Sequence, residues 1–444
     1  MSSIGYFQLR LIKEIKFFFN SFKKEKNDIF RLDYFYLCPY GASKGTSRLI
    51  FFFKKFLSLK IYITATIKDI YKILRIGEFF IVNLNQNKKY NLIVFNWGEL
   101  NNFDHQGNFH DKHFNVSSSK CPNVLWVIIY LNNKIPKKIG KNITLICNFK
   151  QFFNIKIILK IIFFTIFKKK NFRFFNQEFS YLTLLSNFFL KNTRNFINKN
   201  TQKVLMPYEG QPFQNAIFNK IHTYNKKIMT VGYVHSFPSG LPSNYIKRFG
   251  CPKKIIVAGE AQKLCFIKYL GWKKKEIQVL PSSRYLKVNK NRMKNSIYLP
   301  INFTNNNLII SSLKEIMMKQ NIDLCKHKIK IHPHCLNSKK HQNLLLDIKS
   351  KIKNLNSSKE LKKKDTSVFI GATASVIEAL ERGVDVYHIC EIPEIEAYDE
   401  KVWKYLKSER INKNIFKYRI EKKNKLINFG KSLNLYKSYF SIIT

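Results

Sequence analysis

The chain has 444 residues, 45% of them hydrophobic, which is long enough for two cores and too apolar for a disordered polyelectrolyte. Its 78 Lys and Arg against 28 Asp and Glu give a formal charge of +50, which attracts polyanions, anionic membranes and phosphorylated ligands. Lys, Asn, Ile and Phe are all abundant and have AT-rich codons, so composition accounts for part of that excess; the eight scattered cysteines, without a C-x-x-C pair or zinc spacing, read as reduced thiols rather than disulfides or a metal site.

The first residues, MSSIGYFQLRLIKEIKFFFN, lack the uninterrupted apolar run and small-residue cleavage site of a secretory signal. DYFYLCPY (33–40) predicts a strand, followed by a Gly/Ser turn and an apolar, basic helical stretch to about residue 74. Further buried strands are predicted at NLIVFNWG (91–98), NVLWVIIYL (123–131) and the ITLIC run after Asn142. Between the first two, Asn101–Lys120 is polar, carries three histidines and reads as a loop outside the core. Phe152–Phe167 is the stretch nearest to a membrane span, but Lys156 and Lys160 interrupt it. It reads equally as an interfacial basic helix or as a buried element.

After residue 200 the alternation sharpens. KVLMPY (203–208), IMTVGYVH (228–235), KKIIVAG (253–259) and IQVLP (277–281) predict strands, with helices over Gln211–Tyr224 and up to about Leu270. A basic stretch from Ser282 to Asn295 reads as a crossover. SIYLPI (296–301), HKIKIHPH (327–334), TSVFIG (366–371) and VDVYHI (384–389) are the next strands, with helices near 308–319, 338–354 and 374–382. From about Glu400 the tail reads as helix with basic faces. Such alternation predicts an α/β fold of two parallel, Rossmann-like sheets facing a cleft, with ligands at the strand C-termini.

Three places could carry chemistry. Gly371, Thr373 and Ser375 form a small-residue turn into a helix, where backbone approach, free N–H groups and hydroxyls favour a phosphate. Glu378, on the first turns of that helix, could accept from ribose hydroxyls; helix capping is the simpler alternative for all of these residues. His332-Pro333 puts an imidazole at a strand end, suited to donating to a phosphate. Glu209 lies at another strand end before Gly210, placed to act as a general base, and His235 closes the next strand. Arg284, after Pro281-Ser282-Ser283, is a further cation for the cleft.

The run YEGQPFQNA, VGYVHS, VAGE, VLPSSRY, KIHPH and GATASVIEALERGVDV resembles bacterial surface-carbohydrate glycosyltransferases of the GT-B class over roughly residues 200–390. Its His-Pro and Ser/Thr elements are similar to those of bacterial sialyltransferases and polysialyltransferases, whose donors are CMP-activated sugars. The resemblance implies that His332, Thr373 and Ser375 hold the donor phosphate. It also implies two carboxylates before a glycine, whereas here Tyr208 precedes Glu209-Gly210. The implied division is an acceptor-side domain over 1–225, its continuation and crossover over 226–295, a nucleotide-sugar domain over 296–400 and a helical tail over 401–444. The implied activity is inverting, metal-independent transfer from a CMP- or UDP-sugar to a surface polysaccharide or lipid-linked glycan, without a cofactor. Cytoplasmic placement, peripheral on an anionic inner membrane face, fits the charge. The alternatives are a basic nucleic-acid-binding protein, which lacks any zinc-finger or RNP-like motif, and a non-catalytic scaffold of polysaccharide synthesis.

Overall fold

The computed structural model describes residues 4–21, 75–84, 90–148, 181–286, 293–353 and 365–430, with isolated positions 155, 159, 437, 438 and 440. The strand predicted at 33–40, the helical stretch to 74 and all but two positions of Phe152–Phe167 lie outside the described residues.

The first half contributes β1 (Phe79–Val82), β2 (Leu92–Gly98), β3 (His110–Asp111), β4 (Val116–Ser117), β5 (Val124–Tyr130), β6 (Ile143–Asn148), β7 (Lys203–Pro207), β8 (Met229–Tyr233), β9 (Lys254–Val257) and β10 (Ile277–Val279). Apart from the small β3–β4 hairpin, they form one sheet in the order β1-β6-β5-β2-β7-β8-β9-β10. All pairings are parallel except that of β1 with β6. Val94, Trp126, Val127, Ile128, Val204 and Leu205 are fully buried, as expected for strands covered on both faces. From β2 the chain builds outward through β5 and β6, then returns to the other flank with β7. That reversal leaves a crevice at the C-terminal ends of β2 and β7.

The second half contributes β11 (Ser282–Leu286), β12 (Ser296–Tyr298), β13 (Lys328–Lys330), β14 (Thr366–Ile370), β15 (Asp385–Ile389), β16 (Leu406–Arg410), β17 (Ile415–Ile420) and β18 (Phe429–Gly430). Six of them form a second sheet, β13-β12-β14-β15-β17-β16, parallel up to β15 and antiparallel beyond. The order reverses at β12, so this sheet's crevice lies at the ends of β12 and β14. The two strands predicted to carry His332 and Gly371 are therefore not neighbours: β12 runs between them.

Two expectations are corrected. Residues 406–420 form the β16–β17 hairpin rather than helix, because Ile415, Phe416 and Tyr418 bury against β15 while Lys407, Glu409 and Arg410 are exposed on the outer strand. The polar segment Asn101–Lys120 is not wholly outside the core. Phe109, Phe114 and Val116 bury with Trp126 and Tyr233 under the first sheet. The helix Ile4–Ser21 had no counterpart in the expected elements.

One hydrophobic cluster runs through both sheets. The loop after β8 packs on the segment after β15: the Phe237 and Trp403 rings lie 4.7 Å apart, and Phe237 and Tyr398 6.0 Å apart. Trp403 Nε1 donates to Gly240 O at 2.9 Å, and Leu241 N to Ile395 O at 3.0 Å. The N-terminal helix spans this seam, with Gln8 Nε2 donating to Ala397 O and Lys16 Nζ to Tyr269 O. The chain leaves the first sheet along β11 and returns along β18, and the two strands pair in parallel. Among the described residues no helix is long and apolar enough to cross a membrane.

Phe237 is fully buried where the two sheets meet. Phe237→Ala is expected to lower the unfolding free energy by about 3–5 kcal/mol, measured by denaturant titration.

Candidate functional site

The first crevice is organised by the turn after β7. Tyr208 points back into the core, where its hydroxyl bonds Asn215 Oδ1 at 2.9 Å and lies 3.2 Å from Cys251 Sγ. Burial pushes that phenol well above its ordinary range, so Tyr208 is not a substitute base. The next side chain, Glu209, turns outward and is about one-third exposed. Gln214, on the helix Pro212–Tyr224, clamps the turn. Its oxygen accepts from Glu209 N and Gln211 N, and its nitrogen donates to Pro207 O. Gly210 has φ +70°, and a Cβ there would run into Asn244 O. Asn244 Nδ2 donates to Glu209 O, while the Arg248 guanidinium donates to Gly210 O and Asn244 O. The carboxylate is thus held at both ends: Oε2 accepts from Gln211 Nε2 at 2.6 Å and Oε1 lies 3.7 Å from His235 Nε2.

Sequence reasoning missed what stands behind His235. The His113 ring meets it edge-to-face at 4.5 Å, and His113 Nδ1 lies 3.9 Å from Asp111 Oδ1. Asp111 is fully buried; its Oδ2 accepts from Asn96 Nδ2 at 2.5 Å, and its Oδ1 accepts from His113 N and Phe114 N. Burial pushes its carboxyl up to about 6, against the opposing effect of those hydrogen bonds. The three histidines of the 101–120 segment were the available signal, but nothing local distinguished His113 from the other two.

The second crevice is lined by the Pro300–Asn302 loop after β12. His332, half-buried, flanks it from β13, and the exposed Pro333 opens the short turn Pro333–Cys335. Cys335 N donates to His332 O at 2.8 Å, and His341 Nε2 lies 2.9 Å from Pro300 O. On the other flank Gly371 has φ +67°, and a Cβ would lie 3.0 Å from Pro300 Cβ. Its carbonyl is 2.7 Å from His388 Nε2. Burial holds His388 near 4, so the neutral ring donates through Nε2 and accepts from the Tyr418 hydroxyl at Nδ1, 3.1 Å away. Tyr418 in turn accepts from Tyr398 N.

Thr373 and Ser375 are half-buried at the start of the helix Ser375–Glu381, and Thr373 Oγ1 accepts from Ser375 N at 3.3 Å. Glu378 pairs with Arg382 at 2.8 Å, and the Arg382 guanidinium lies over the Phe429 ring. Arg284 has its backbone in β11; its side chain, like that of His334, lies outside the described residues.

One side chain connects the loops that follow β8 and β14. The Tyr398 hydroxyl lies 3.0 Å from Pro238 O and 3.3 Å from Thr373 O. Pro238 follows His235 by three residues, so one hydroxyl ties the loop carrying the imidazole to the turn carrying the small hydroxyls. Among the described residues no group of three or more His, Cys, Asp or Glu is placed to hold a metal ion.

No protein-family profile and no curated protein matches the chain. Among solved structures, a glycosyltransferase from Rickettsia africae ESF-5 superposes with a TM-score of 0.29 and 11% identity, over 67% of this chain and 79% of that one. A superposition this loose transfers no residue role.

His388 gives a pH test of the Gly371 anchor. Its folded pKa lies below the unfolded value of 6.5, so the unfolded chain takes up its proton first and stability falls as pH drops from 6.5 to about 4. His222, also near 4, acts in the same sense, whereas Asp111 near 6 and Glu396 near 8 tilt the profile the other way. The informative quantity is therefore the difference between wild type and His388→Gln. It is expected to shrink by about 3 kcal/mol between pH 6.5 and 4 in equilibrium unfolding.

Proposed function

We propose that the chain is a glycosyltransferase of GT-B arrangement, the first sheet holding the acceptor and the second the nucleotide-activated donor. The observation that carries this reading is the Tyr398 bridge. It links the loop that follows His235, the partner of Glu209, to the backbone of Thr373 before the helix Ser375–Glu381. Glu209, with His235, takes the acceptor proton as the acceptor oxygen attacks the anomeric carbon. The bond to the leaving phosphate breaks, and its developing charge is met by His332, the Thr373 and Ser375 hydroxyls and the backbone around Gly371. These groups supply the charge stabilisation without a metal. An acceptor-side domain and a nucleotide-sugar domain follow from this reading, with the β16–β17 hairpin in place of a helical tail. So do a CMP- or UDP-sugar donor, a surface or lipid-linked glycan acceptor and peripheral placement on an anionic inner membrane face. Glu378 is committed to Arg382 through Oε1, which favours a helix-stabilising role over a ribose contact.

A second reading, a non-catalytic nucleotide-sugar binder, is favoured by the core-facing Tyr208 in place of a second acid.

Two measurements test the proposal. Thermal shifts with CMP, UDP and GDP are expected to show stabilisation by one nucleotide, lost in His332→Ala and Ser375→Ala; no shift with any of them removes the donor site. With the stabilising nucleotide's sugar, Glu209→Gln is expected to retain the shift and lose transfer by about 10²–10⁴-fold. Full activity in that variant excludes Glu209 as base, and binding without turnover in the wild type selects the second reading.

A further inference from the structure

The Glu209–His235 pair depends on the plane of the His235 ring. Rotation of the imidazole would carry Nε2 away from a carboxylate that it approaches only to 3.7 Å. The face-to-edge contact with His113, with rings at 76° and centroids 4.5 Å apart, opposes that rotation. We propose that His113 is a positioning residue for His235, with Asp111 as its anchor; this rests on the transferase reading above.

His113 is fixed by more than its neighbours in sequence. Asp111 Oδ1 accepts its backbone N–H at 2.8 Å, and Ser283 Oγ, from β11, donates to its carbonyl. Asp111 is gripped from β2 by Asn96, whose own Oδ1 accepts from Trp97 N. A connected line therefore runs from β2 through the β3–β4 hairpin to the ends of β8 and β7, crossing the switch point of the sheet.

A simple turn accounts for part of this. The bonds from Asp111 Oδ1 to His113 N and Phe114 N form an Asx-type turn, which any residue at position 113 could complete with its main chain. The turn does not require the second carboxylate oxygen to be held by a buried asparagine. Nor does it require the side chain at 113 to be an imidazole placed against a second imidazole. Exposure falls from Glu209 to His235 to Asp111, from 36% to 12% to zero, with His113 at 27%. The open end is the carboxylate that meets solvent, and the closed end is the anchor.

The test separates positioning from folding and from the reaction itself. His113→Ala is expected to lower kcat about tenfold to a hundredfold, leaving acceptor KM and the nucleotide-induced thermal shift unchanged. His113→Phe, which restores a ring at the edge contact, is expected to recover most of kcat. Long-range ¹H–¹⁵N spectra of ¹⁵N-histidine-labelled protein add a readout independent of turnover. The His235 ring signals, identified by their loss in His235→Gln, are expected in one tautomer in wild type and His113→Phe, and in two in His113→Ala. If His113→Ala does not fold, His113→Gln serves in its place. Unchanged kcat and an unchanged His235 tautomer in the ring-deleted variant would overturn the proposal, as would a kcat that His113→Phe fails to recover. If the wild type transfers no sugar, the transferase reading fails while the spectra still decide whether His113 orients His235.

Discussion

The contact between the loop after β8 and the segment after β15 joins the two sheets. Each sheet alone has a crevice where its strand order reverses, and each crevice alone is a common feature of open parallel sheets. Phe237 packs against Tyr398 and Trp403, all three fully or nearly fully buried. With that surface removed from water, the Tyr398 and Trp403 polar groups must find partners, and they find them in Pro238, Gly240 and Thr373. The apolar packing brings the halves together, and the hydrogen bonds set their register.

That register decides what the site residues can do. His388, buried and neutral, holds the carbonyl of Gly371 from below, while Pro300 closes on the same glycine from the side. The turn that would meet a phosphate is therefore a rigid feature of the sheet rather than a surface loop. In the first sheet Glu209 has the same character: Gln214, Asn244 and Arg248 satisfy its surrounding backbone, leaving the carboxylate as the part that faces outward. Preorganisation of this kind reduces the reorganisation a reaction would otherwise require.

Much of the fold was legible because parallel strands buried on both faces read as unbroken apolar runs, as NLIVFNWG and NVLWVIIYL do. The order of those strands was not legible, since it depends on which crossover goes left or right, and so the place of β12 between His332 and Gly371 went unseen. The tail was misread for a related reason. In LKSERINKNIFKYRI the outer strand is mostly charged and the inner one carries the buried Ile415, Phe416 and Tyr418, and the charges that blunt a sheet edge look like the polar face of a helix. Glu209 and His235 could be named as candidates because they follow strand ends. His113 was not named, because its contacts are with residues far away in sequence, His235 and Ser283.

The bonds between the loop after β8 and the segment after β15 come from tyrosine, tryptophan and a backbone amide, none of which carries a charge. In a chain with a net +50, this divides electrostatics from architecture. Raising ionic strength weakens the pull of the lysine-rich surface on any anion and relieves the repulsion between like-charged faces, with a screening length of about 8 Å at physiological salt. It breaks none of these uncharged links. Salt can therefore tune how readily ligands arrive while leaving intact the frame that receives them.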